Sequence, residues 1–380
     1  MGTLFPQFRN SRAAAWLATA AIAAILLVLP FVFGGLLGNS FVRALAFACL
    51  YVLLALGLNI VVGFAGLLDL GYIAFYAVGA YMYALLASPH LTSNFAWIAQ
   101  TFPNGLHNSI WLVIPLGAGL AAAFGILLGA PVLKLRGDYL AIVTLGFGEI
   151  IRIFLNNLNA PVNVTNGPQG ITLIDPISFG GFSLAKTQSI FGLQLQSVYL
   201  YYYFFLLLAI VAIVICIRLQ DSRLGRAWMA IREDELAAKA MGINVRNVKL
   251  LAFSLGATFG GVSGAMFSAF QGFVSPESFT LNESIIVLAM IVLGGLGHIP
   301  GVVLGAVLLS IFPEVLRHGA GPVQTFLFGH VIVDAEVLRM MLYGLAMVLI
   351  MLYRPKGLWP APEHGVNPSN RRDAGKTQAA

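Results

Sequence analysis

Apolar residues fill this 380-residue sequence in long runs, which short polar stretches separate. Crossing about 30 Å of hydrocarbon takes about 20 helical residues. Ten runs approach or reach that length, and we predict a membrane-spanning helix in each. The predicted spans are residues 13–37, 41–62, 65–87, 110–133, 139–157, 199–217, 248–272, 283–297, 300–317 and 337–353. The pattern therefore predicts an all-α polytopic bundle of about ten spans, including short or broken helices.

The spans occupy almost the whole chain, so we expect one membrane domain, residues 13–353. Residues 1–12 precede it as a short cytoplasmic segment. Residues 354–380 follow it as a cytoplasmic tail that is too poor in apolar residues to pack, and we expect this tail to be disordered. The eighth span, residues 283–297, is the shortest, and a re-entrant segment is the alternative there.

The composition agrees with a protein that lies in a lipid bilayer. Hydrophobic residues make up 59% of the chain and charged residues 9%, and the mean hydropathy is +0.88. Cys49 and Cys216 lie inside apolar runs, which is typical of small buried hydrophobic residues rather than of a disulfide. The net charge of +6 does not indicate a nucleic-acid partner, because the membrane topology accounts for the basic residues.

The distribution of Lys and Arg predicts the orientation of the spans. With the N-terminus in the cytoplasm, loops 88–109 and 273–282 lie outside without any Lys or Arg, and loop 158–198 lies outside with only Lys186. The basic positions that then fall inside are Lys134, Arg136 and the cluster from Arg218 to Lys249. Cytoplasmic loops of membrane proteins carry such an excess of positive charge. An even number of spans returns the C-terminus to the cytoplasm as well.

Charge is concentrated in the loop between the sixth and seventh spans, residues 218–247. The stretch from Arg218 to Lys249 holds 11 of the 36 charged residues, of which the whole chain has 21 basic and 15 acidic. Within "GRAWMAIREDELAAKAMG" (225–242), an apolar edge recurs at helical spacing, formed by Leu224, Trp228, Ile231, Ala238 and Gly242. Either this edge docks into a groove on a soluble partner, or the loop is a solvated connector on the membrane surface.

Three residues of this loop carry helix-end signals. Asp234 is placed to cap a second short helix, and Gly242 to end that helix in the left-handed conformation. Asn244 is placed to cap the next span.

The segment "LAAKAMG" (236–242) resembles the EAA loop of ABC importer permeases, which forms the coupling helix held by the ATPase subunit. Ala237, Ala238 and Gly242 match the pattern, whereas Leu236 occupies the position of the family's Glu, with Glu235 one place earlier. The resemblance implies a cytoplasmic coupling role for Arg226, Trp228, Ile231, Glu235, Ala237, Ala238 and Gly242.

Longer blocks carry a more specific resemblance. The four blocks are "LRGDYLAIVTLGFGEIIR" (135–152), "GFVSPESFTLNES" (272–284), "VLGGLGHIPGVVLGAVLL" (292–309) and "YRPKGL" (353–358). They resemble the M-type inner-membrane permease of the high-affinity branched-chain amino acid ABC transporter, over about residues 40–358. Urea and short-chain amide permeases of the same superfamily are the alternative.

The resemblance implies a bacterial inner-membrane subunit that translocates leucine, isoleucine or valine. A periplasmic binding protein delivers the substrate, a homologous H-type permease completes a heterodimer, and two cytoplasmic ATPase subunits supply the energy.

Five residues within the spans are candidates for the translocation pathway, because charges in a membrane are costly and helix breaks often line cavities. Glu149 and Arg152, three residues apart, are expected to pair on one helix face. Asp69 is expected to cap a helix start or to pair with a base. Gly294 and Gly295 belong to a Gly- and Pro-rich run, residues 294–301, that predicts a break between two helices.

No residues are spaced as a catalytic or metal site, so no enzyme activity and no cofactor are expected. The six histidines are scattered. The tail segment "AGKT" (374–377) imitates a phosphate-binding loop, but Asn370 occupies the position of its required Gly. An ion-coupled secondary transporter could use Asp69 and Glu149, although it would leave the charged loop without a function.

Overall fold

Helices form in all ten regions where the apolar runs predict spans. The structure, a computed structural model, describes residues 12–102, 106–133, 135, 137–179, 182–190, 193–328, 335–353 and 357–359. The ten long helices are α1 (Arg12–Leu36), α2 (Asn39–Leu58), α3 (Ile73–Leu86), α6 (Ile110–Val132), α7 (Asp138–Asn157), α8 (Ser197–Gln220), α11 (Val245–Gln271), α12 (Leu281–Gly294), α13 (Ile299–Phe328) and α14 (Ala335–Tyr353). Four short helices are α4 (His90–Asn94), α5 (Ala96–Thr101), α9 (Arg223–Glu233) and α10 (Glu235–Ala240).

Six helical stretches among the described residues are long and apolar enough to cross a membrane. They are Asn39–Phe64, Ile110–Val132, Ser197–Gln220, Val245–Gln271, Pro276–Gly294 and Ile299–Gly319. Two shorter apolar helices are Ala23–Leu36 and Ile73–Leu86. The predicted helical membrane bundle is therefore confirmed, whereas the number of ten spans stays a prediction.

Helix α11 lies at the centre of the bundle and packs against α2, α3 and α6. Small residues allow this packing: a Cβ atom at Gly264 would lie 2.0 Å from the carbonyl oxygen of Tyr76, and one at Gly79 would lie 2.0 Å from that of Gly261. On the other side, a Cβ atom at Gly256 would lie 3.0 Å from the carbonyl oxygen of Gly57. Small residues thus let the backbones of these helices approach closely, as is typical of helices that pack within a membrane.

The third predicted span begins later than the sequence pattern indicates. Residues 65–72 are not helical, and α3 begins only at Ile73. Gly66 has a φ of +69°, and hydrogen bonds to side chains replace the helical ladder after it. The Asp69 carboxylate accepts a hydrogen bond from Gly71 N at 2.9 Å, and the Thr144 hydroxyl accepts one from Leu70 N at 3.1 Å. The helical prediction for residues 65–72 is wrong because these groups stabilise a non-helical path.

Two small β-hairpins lie in the long segment before α8, so the all-α prediction needs this correction. Strand β1 (Ser178–Phe179) pairs with β2 (Phe182–Ser183), and β3 (Gln188–Ile190) pairs with β4 (Leu193–Leu195). The preceding part of the segment crosses the ends of two helices, since Ile171 N donates to Val274 O at 2.8 Å and Asp175 N to Ala87 O at 2.7 Å. We call this end of the bundle the hairpin end.

Helix α8 separates the hairpins from α9 and α10, so the latter lie at the opposite end, which we call the α9 end. Helix α12 stops there at Gly294 rather than at residue 297, and α13 runs on past residue 317 to Phe328. Part of the tail also packs at this end: Leu358 N donates to Leu293 O at 2.8 Å and Trp359 N to Gly294 O at 3.1 Å. Residues 357–359 are therefore held in place, contrary to the expectation of a disordered tail. The remainder of that prediction, like Lys134, Arg136 and residues 1–11, lies outside the described residues.

Candidate functional site

Helices α9 and α10 form a compact pair in the loop between α8 and α11, and side-chain caps define its ends. Ser222 accepts a hydrogen bond from Gly225 N at the start of α9. Asp234 accepts hydrogen bonds from Leu236 N and Ala237 N, which breaks the segment into two helices. Gly242 has a φ of +84°, and Asn244 accepts a hydrogen bond from Asn247 N at the start of α11. The predicted roles of Asp234, Gly242 and Asn244 are confirmed.

The apolar edge of this pair faces the chain itself. Trp228 is fully buried, and its indole Nε1 donates to Val248 O of α11 at 2.7 Å. Ile231 and Ala238 are buried as well. Lys249, also buried, forms a 2.8 Å ion pair with the Glu235 carboxylate. Both sequence alternatives for this edge, docking on a soluble partner and lying as a solvated connector, need correction at Trp228, Ile231 and Ala238, because these residues are buried against the chain itself and attach the pair to α11, whereas Gly242 is exposed.

The opposite face of the pair presents two apolar side chains to solvent. Leu236 is 67% exposed and Met241 is 83% exposed. Of the residues that the sequence assigns to coupling, Arg226, Ala237 and Gly242 lie on exposed surface too. Leu236 and Met241 were not among the sequence candidates. The available signal was Leu236 itself, an apolar residue at the position where the EAA resemblance calls for Glu.

Two helix interruptions meet at the α9 end. The first is a π-helical turn, Asn59–Phe64, which continues α2 and leads into the non-helical residues 65–72. The second is the turn between α12 and α13, in which Gly295 has a φ of +119° and Gly297 a φ of +79°. The Asn59 Oδ1 atom accepts a hydrogen bond from Gly297 N at 3.0 Å, and Arg232 Nη1 donates to Gly63 O at 2.5 Å. A side chain of α9 thus contacts the place where both interruptions come together.

Asp69, a pathway candidate, is buried in the non-helical segment. It is 2% exposed, and its Oδ2 atom has no hydrogen-bond partner among the described residues. The carboxylate lines a narrow cavity of about 10 Å³. The other lining residues are Gly71, Phe75, Leu128, Val132, Thr144, Phe147 and Phe253. The expected pairing with a base is wrong for the described residues; Asp69 instead stabilises the turn before α3 through Gly71 N.

Glu149 and Arg152 form the predicted ion pair on α7, with Nε and Oε2 2.9 Å apart. Arg152 also approaches Glu277, which lies in the 3₁₀ turn Pro276–Ser278, with Nη1 and Oε1 3.4 Å apart. The pair therefore connects α7 to the start of the α12 region at the hairpin end.

Gly294 and Gly295 lie at the predicted break, which is confirmed between α12 and α13. A Cβ atom at Gly294 would lie 2.2 Å from Gly301 O, so this glycine allows the two helices to touch. Gly295 is buried and adopts a positive φ that favours glycine. Both glycines have a packing role here, and neither lies beside Asp69 or Glu149 in the contacts described above.

A larger cavity, of about 260 Å³, opens at the hairpin end. Its lining residues are Tyr83, His107, Asn108, Ser109, Ile110, Asp175, Pro176 and Ser178. The His107 ring contacts the Asp175 carboxylate, and the Tyr83 hydroxyl donates to Asp175 O at 2.9 Å. This cavity lies where α3 ends and α6 begins.

The fold and these features define a polytopic α-helical membrane protein with a polar helix pair attached between two spans. The chain belongs to the family described as the branched-chain amino acid transport system permease component, whose model matches residues 40–351. The resemblance inferred from the four sequence blocks is therefore confirmed.

Named relatives agree with this assignment. The chain is 41% identical over 348 residues to the high-affinity branched-chain amino acid transport system permease protein LivM of Escherichia coli K12, covering 88% of this chain and 73% of the relative. Its identity to LivM of Salmonella typhimurium is also 41%, over 82% of this chain and 68% of the relative. The identity to LivH of E. coli K12 is 26%, over 82% of this chain and 92% of the relative. No solved structure matches the chain.

Proposed function

We propose that this protein is the M-type permease subunit of an ABC importer that carries leucine, isoleucine and valine across the bacterial inner membrane. The family match and the names of the relatives support this substrate class, and they do not support the urea or short-chain amide alternative. The chain itself provides the membrane passage. ATP is hydrolysed by separate cytoplasmic subunits, and a homologous H-type subunit, similar to the LivH relatives, completes the permease.

The observation that carries the coupling proposal is the two-sided helix pair α9–α10. Its buried side is attached to α11 through Trp228, and its exposed side presents Leu236 and Met241. Exposed apolar side chains on a charged element are typical of a contact surface, since water favours their burial against a partner. Because α11 packs against α2, α3 and α6, a force applied to Leu236 and Met241 would reach the centre of the bundle.

In this proposal the α9 end faces the cytoplasm and the hairpin end faces the periplasm. The cluster from Arg218 to Lys249 lies at the α9 end, whereas the described segment before α8 carries only Lys186 as a basic residue. This asymmetry favours the stated orientation. The binding protein then delivers the amino acid to the hairpin end, near the cavity that Asp175 lines. Both termini lie in the cytoplasm.

Asp69 is the pathway candidate that the geometry favours most. Its unpartnered carboxylate oxygen borders a mainly apolar cavity of about 10 Å³, which is too small for an amino acid, so the proposal requires this cavity to widen during transport. Glu149, Arg152, Gly294 and Gly295 stay in the proposal as residues that shape the spans beside the pathway.

The test is uptake of labelled leucine by cells that lack this chain and by the same cells with the chain restored. Uptake should return with the chain and should fail when ATP is depleted while the ion gradient is maintained with an artificial proton gradient. Labelled urea should not be taken up under the same conditions. Leucine uptake that survives ATP depletion and stops with an ionophore would support the ion-coupled transporter instead.

A further inference from the structure

Arg232 occupies a position that the coupling resemblance does not explain. It lies in the last turn of α9, one residue before the Glu233 that ends the helix, and although the residue is exposed overall, its Nη1 atom contacts the bundle at Gly63 O. Its head contacts two separate interruptions of the membrane helices. We infer that Arg232 is a positioning residue that transmits movements of the α9–α10 pair to both interruptions, an inference that rests on the proposed function.

Glycines border the Arg232 side chain. A Cβ atom at Gly66 would lie 2.9 Å from Arg232 Cγ, so the stem of the side chain lies directly on the end of the π-helical turn. A Cβ atom at Gly297 would lie 2.8 Å from Arg232 Nη1 and 3.1 Å from Gly63 O. The arginine therefore fits into a space bounded by the backbones of Gly63, Gly66 and Gly297.

The charge of Arg232 suits this position. Gly63 lies in the last turn of the continuous helical stretch Asn39–Phe64, where carbonyl oxygens lack intrahelical partners and the helix dipole is negative. A guanidinium that donates to such a carbonyl forms a charge-assisted hydrogen bond, which is stronger than a neutral one. The contact thus links the end of this helical stretch to α9.

The two interruptions are mechanically joined to each other. Asn59 accepts a hydrogen bond from Gly297 N, and a Cβ atom at Gly63 would lie 2.0 Å from Asn59 Oδ1. Helices bend where their hydrogen-bond ladder is interrupted, and π-helical turns and left-handed glycines are such places. A displacement of Arg232 would therefore act on the end of the Asn39–Phe64 stretch and on the α12–α13 turn at once.

Trp228 and Arg232 connect α9 to two different parts of the bundle. Trp228 attaches α9 to α11, and Arg232 connects it to the interruptions. If Arg232 only capped the Asn39–Phe64 stretch, its loss would lower the amount of folded protein. The leucine transported per ATP hydrolysed by each folded complex would not change. If it transmits movement, its loss would separate ATP hydrolysis from transport. These two roles give different measurable results.

The experiment uses the complete transporter, with both permeases, the ATPase subunits and the binding protein, in proteoliposomes. The variants are Arg232→Gln and Arg232→Lys, and the control is Arg246→Gln, an arginine at the same end that is exposed like Arg232. The measurements are the amount of ATPase subunit that co-purifies, the rate of ATP hydrolysis, and the leucine transported per ATP hydrolysed.

We expect Arg232→Gln to retain the ATPase subunits and basal hydrolysis while leucine transported per ATP falls by about 10-fold, the effect of losing one charge-assisted hydrogen bond. Arg232→Lys should be intermediate, because lysine keeps the charge but not the planar donor group. Arg246→Gln should behave as the wild type.

An unchanged transport-to-hydrolysis ratio in Arg232→Gln would overturn the inference, whether or not the yield of folded protein falls. Loss of the ATPase subunits from that variant would overturn it too, because Arg232 would then belong to the partner surface. Failure of the proposed function looks different: the wild-type complex itself would transport no leucine with ATP.

Discussion

The indole nitrogen of Trp228 donates a hydrogen bond to the backbone oxygen of Val248, 2.7 Å away, and this contact joins α9 to the first turn of α11. The Trp228 side chain is completely buried, and the Lys249–Glu235 ion pair lies beside it. The polar loop is therefore a rigid extension of the central membrane helix. Because a rigid extension transmits force, the proposed coupling depends on this attachment as well as on the exposed side of the α9–α10 pair.

Truncation of Trp228 should release this attachment. Trp228→Ala should lower the free energy of unfolding by about 3–5 kcal/mol, since it empties a fully buried aromatic site. Trp228→Phe should cost less, about 1 kcal/mol for the hydrogen bond together with a small loss of packing. Thermal unfolding of the purified protein in detergent measures both. Trp97→Ala, at a tryptophan that is 69% exposed, is the control and should leave Tm almost unchanged. Equal losses for the two Trp228 variants would show that buried volume is not what holds α9.

Leu236 and Met241 should contribute directly to the binding of the ATPase subunits. Burying a Leu or Met side chain contributes about 1.5–3 kcal/mol, so Leu236→Ser or Met241→Ser should each weaken the association by about 10-fold or more. Co-purification of the ATPase subunits over a range of concentrations measures this. Lys239→Ser, an exposed substitution on the same helix pair, provides the comparison. If both apolar replacements bind like the wild type, the exposed side of the pair is not the partner surface.

The local features of the coupling loop could be predicted from the sequence because their causes are local. Asp234, Gly242 and Asn244 act on backbone groups within a few residues of themselves. The non-helical start of the third span could not be predicted in this way, because Thr144, which holds Leu70 N, is 74 residues away. The same applies to Arg232 and Gly63, which are 169 residues apart.

The sequence left the role of the apolar edge of α9 open for a related reason. Helical spacing shows that Trp228 and Ile231 share a side, but it does not say whether that side meets another protein or the chain's own α11. The hairpins were missed because strands of two or three residues are too short for an alternating pattern.

The three charges at the hairpin end should respond unequally to neutralisation. Arg152 contacts both Glu149 and Glu277, so Arg152→Gln leaves two carboxylates without their partner, whereas Glu149→Gln leaves Arg152 with Glu277. We expect the folded yield to fall most for Arg152→Gln, less for the double replacement of Arg152 and Glu149, which leaves only Glu277 without its partner, and least for Glu149→Gln. The side chains of Arg152 and Glu149 are 25% and 33% exposed, so the differences should stay near or below about 1 kcal/mol. Equal yields in all three variants would reject the pairing as a stabilising interaction.

Gly242 should tolerate a neutral polar side chain better than a charged one. Its φ of +84° favours glycine and disfavours most other residues by about 1–2 kcal/mol, although Asn adopts this conformation more readily. Nothing lies within 4 Å of a Cβ atom there, so neither Asn nor Asp would clash within the chain. We expect Gly242→Asp to insert normally but to lose the ATPase subunits, because an unpaired charge would be buried at the contact. Gly242→Asn is the matched control and should retain them. Co-purification of the subunits with Gly242→Asp at the wild-type level would contradict the prediction.

The charge of Asp69 should matter for transport and not for folding. Asp69→Asn preserves the Oδ1 acceptor for Gly71 N and removes a buried charge, so folded yield should be equal to or above that of the wild type. Leucine uptake per folded molecule should fall, because the unpartnered oxygen is then no longer a carboxylate that can attract an ammonium group. Asp69→Ala removes the turn acceptor as well and should lower the yield by leaving Gly71 N unsatisfied, a cost of about 1–3 kcal/mol. Quantified membrane yield together with initial uptake rates separates the two effects. Normal uptake by Asp69→Asn would remove Asp69 from the pathway and leave it only the role of holding the turn before α3.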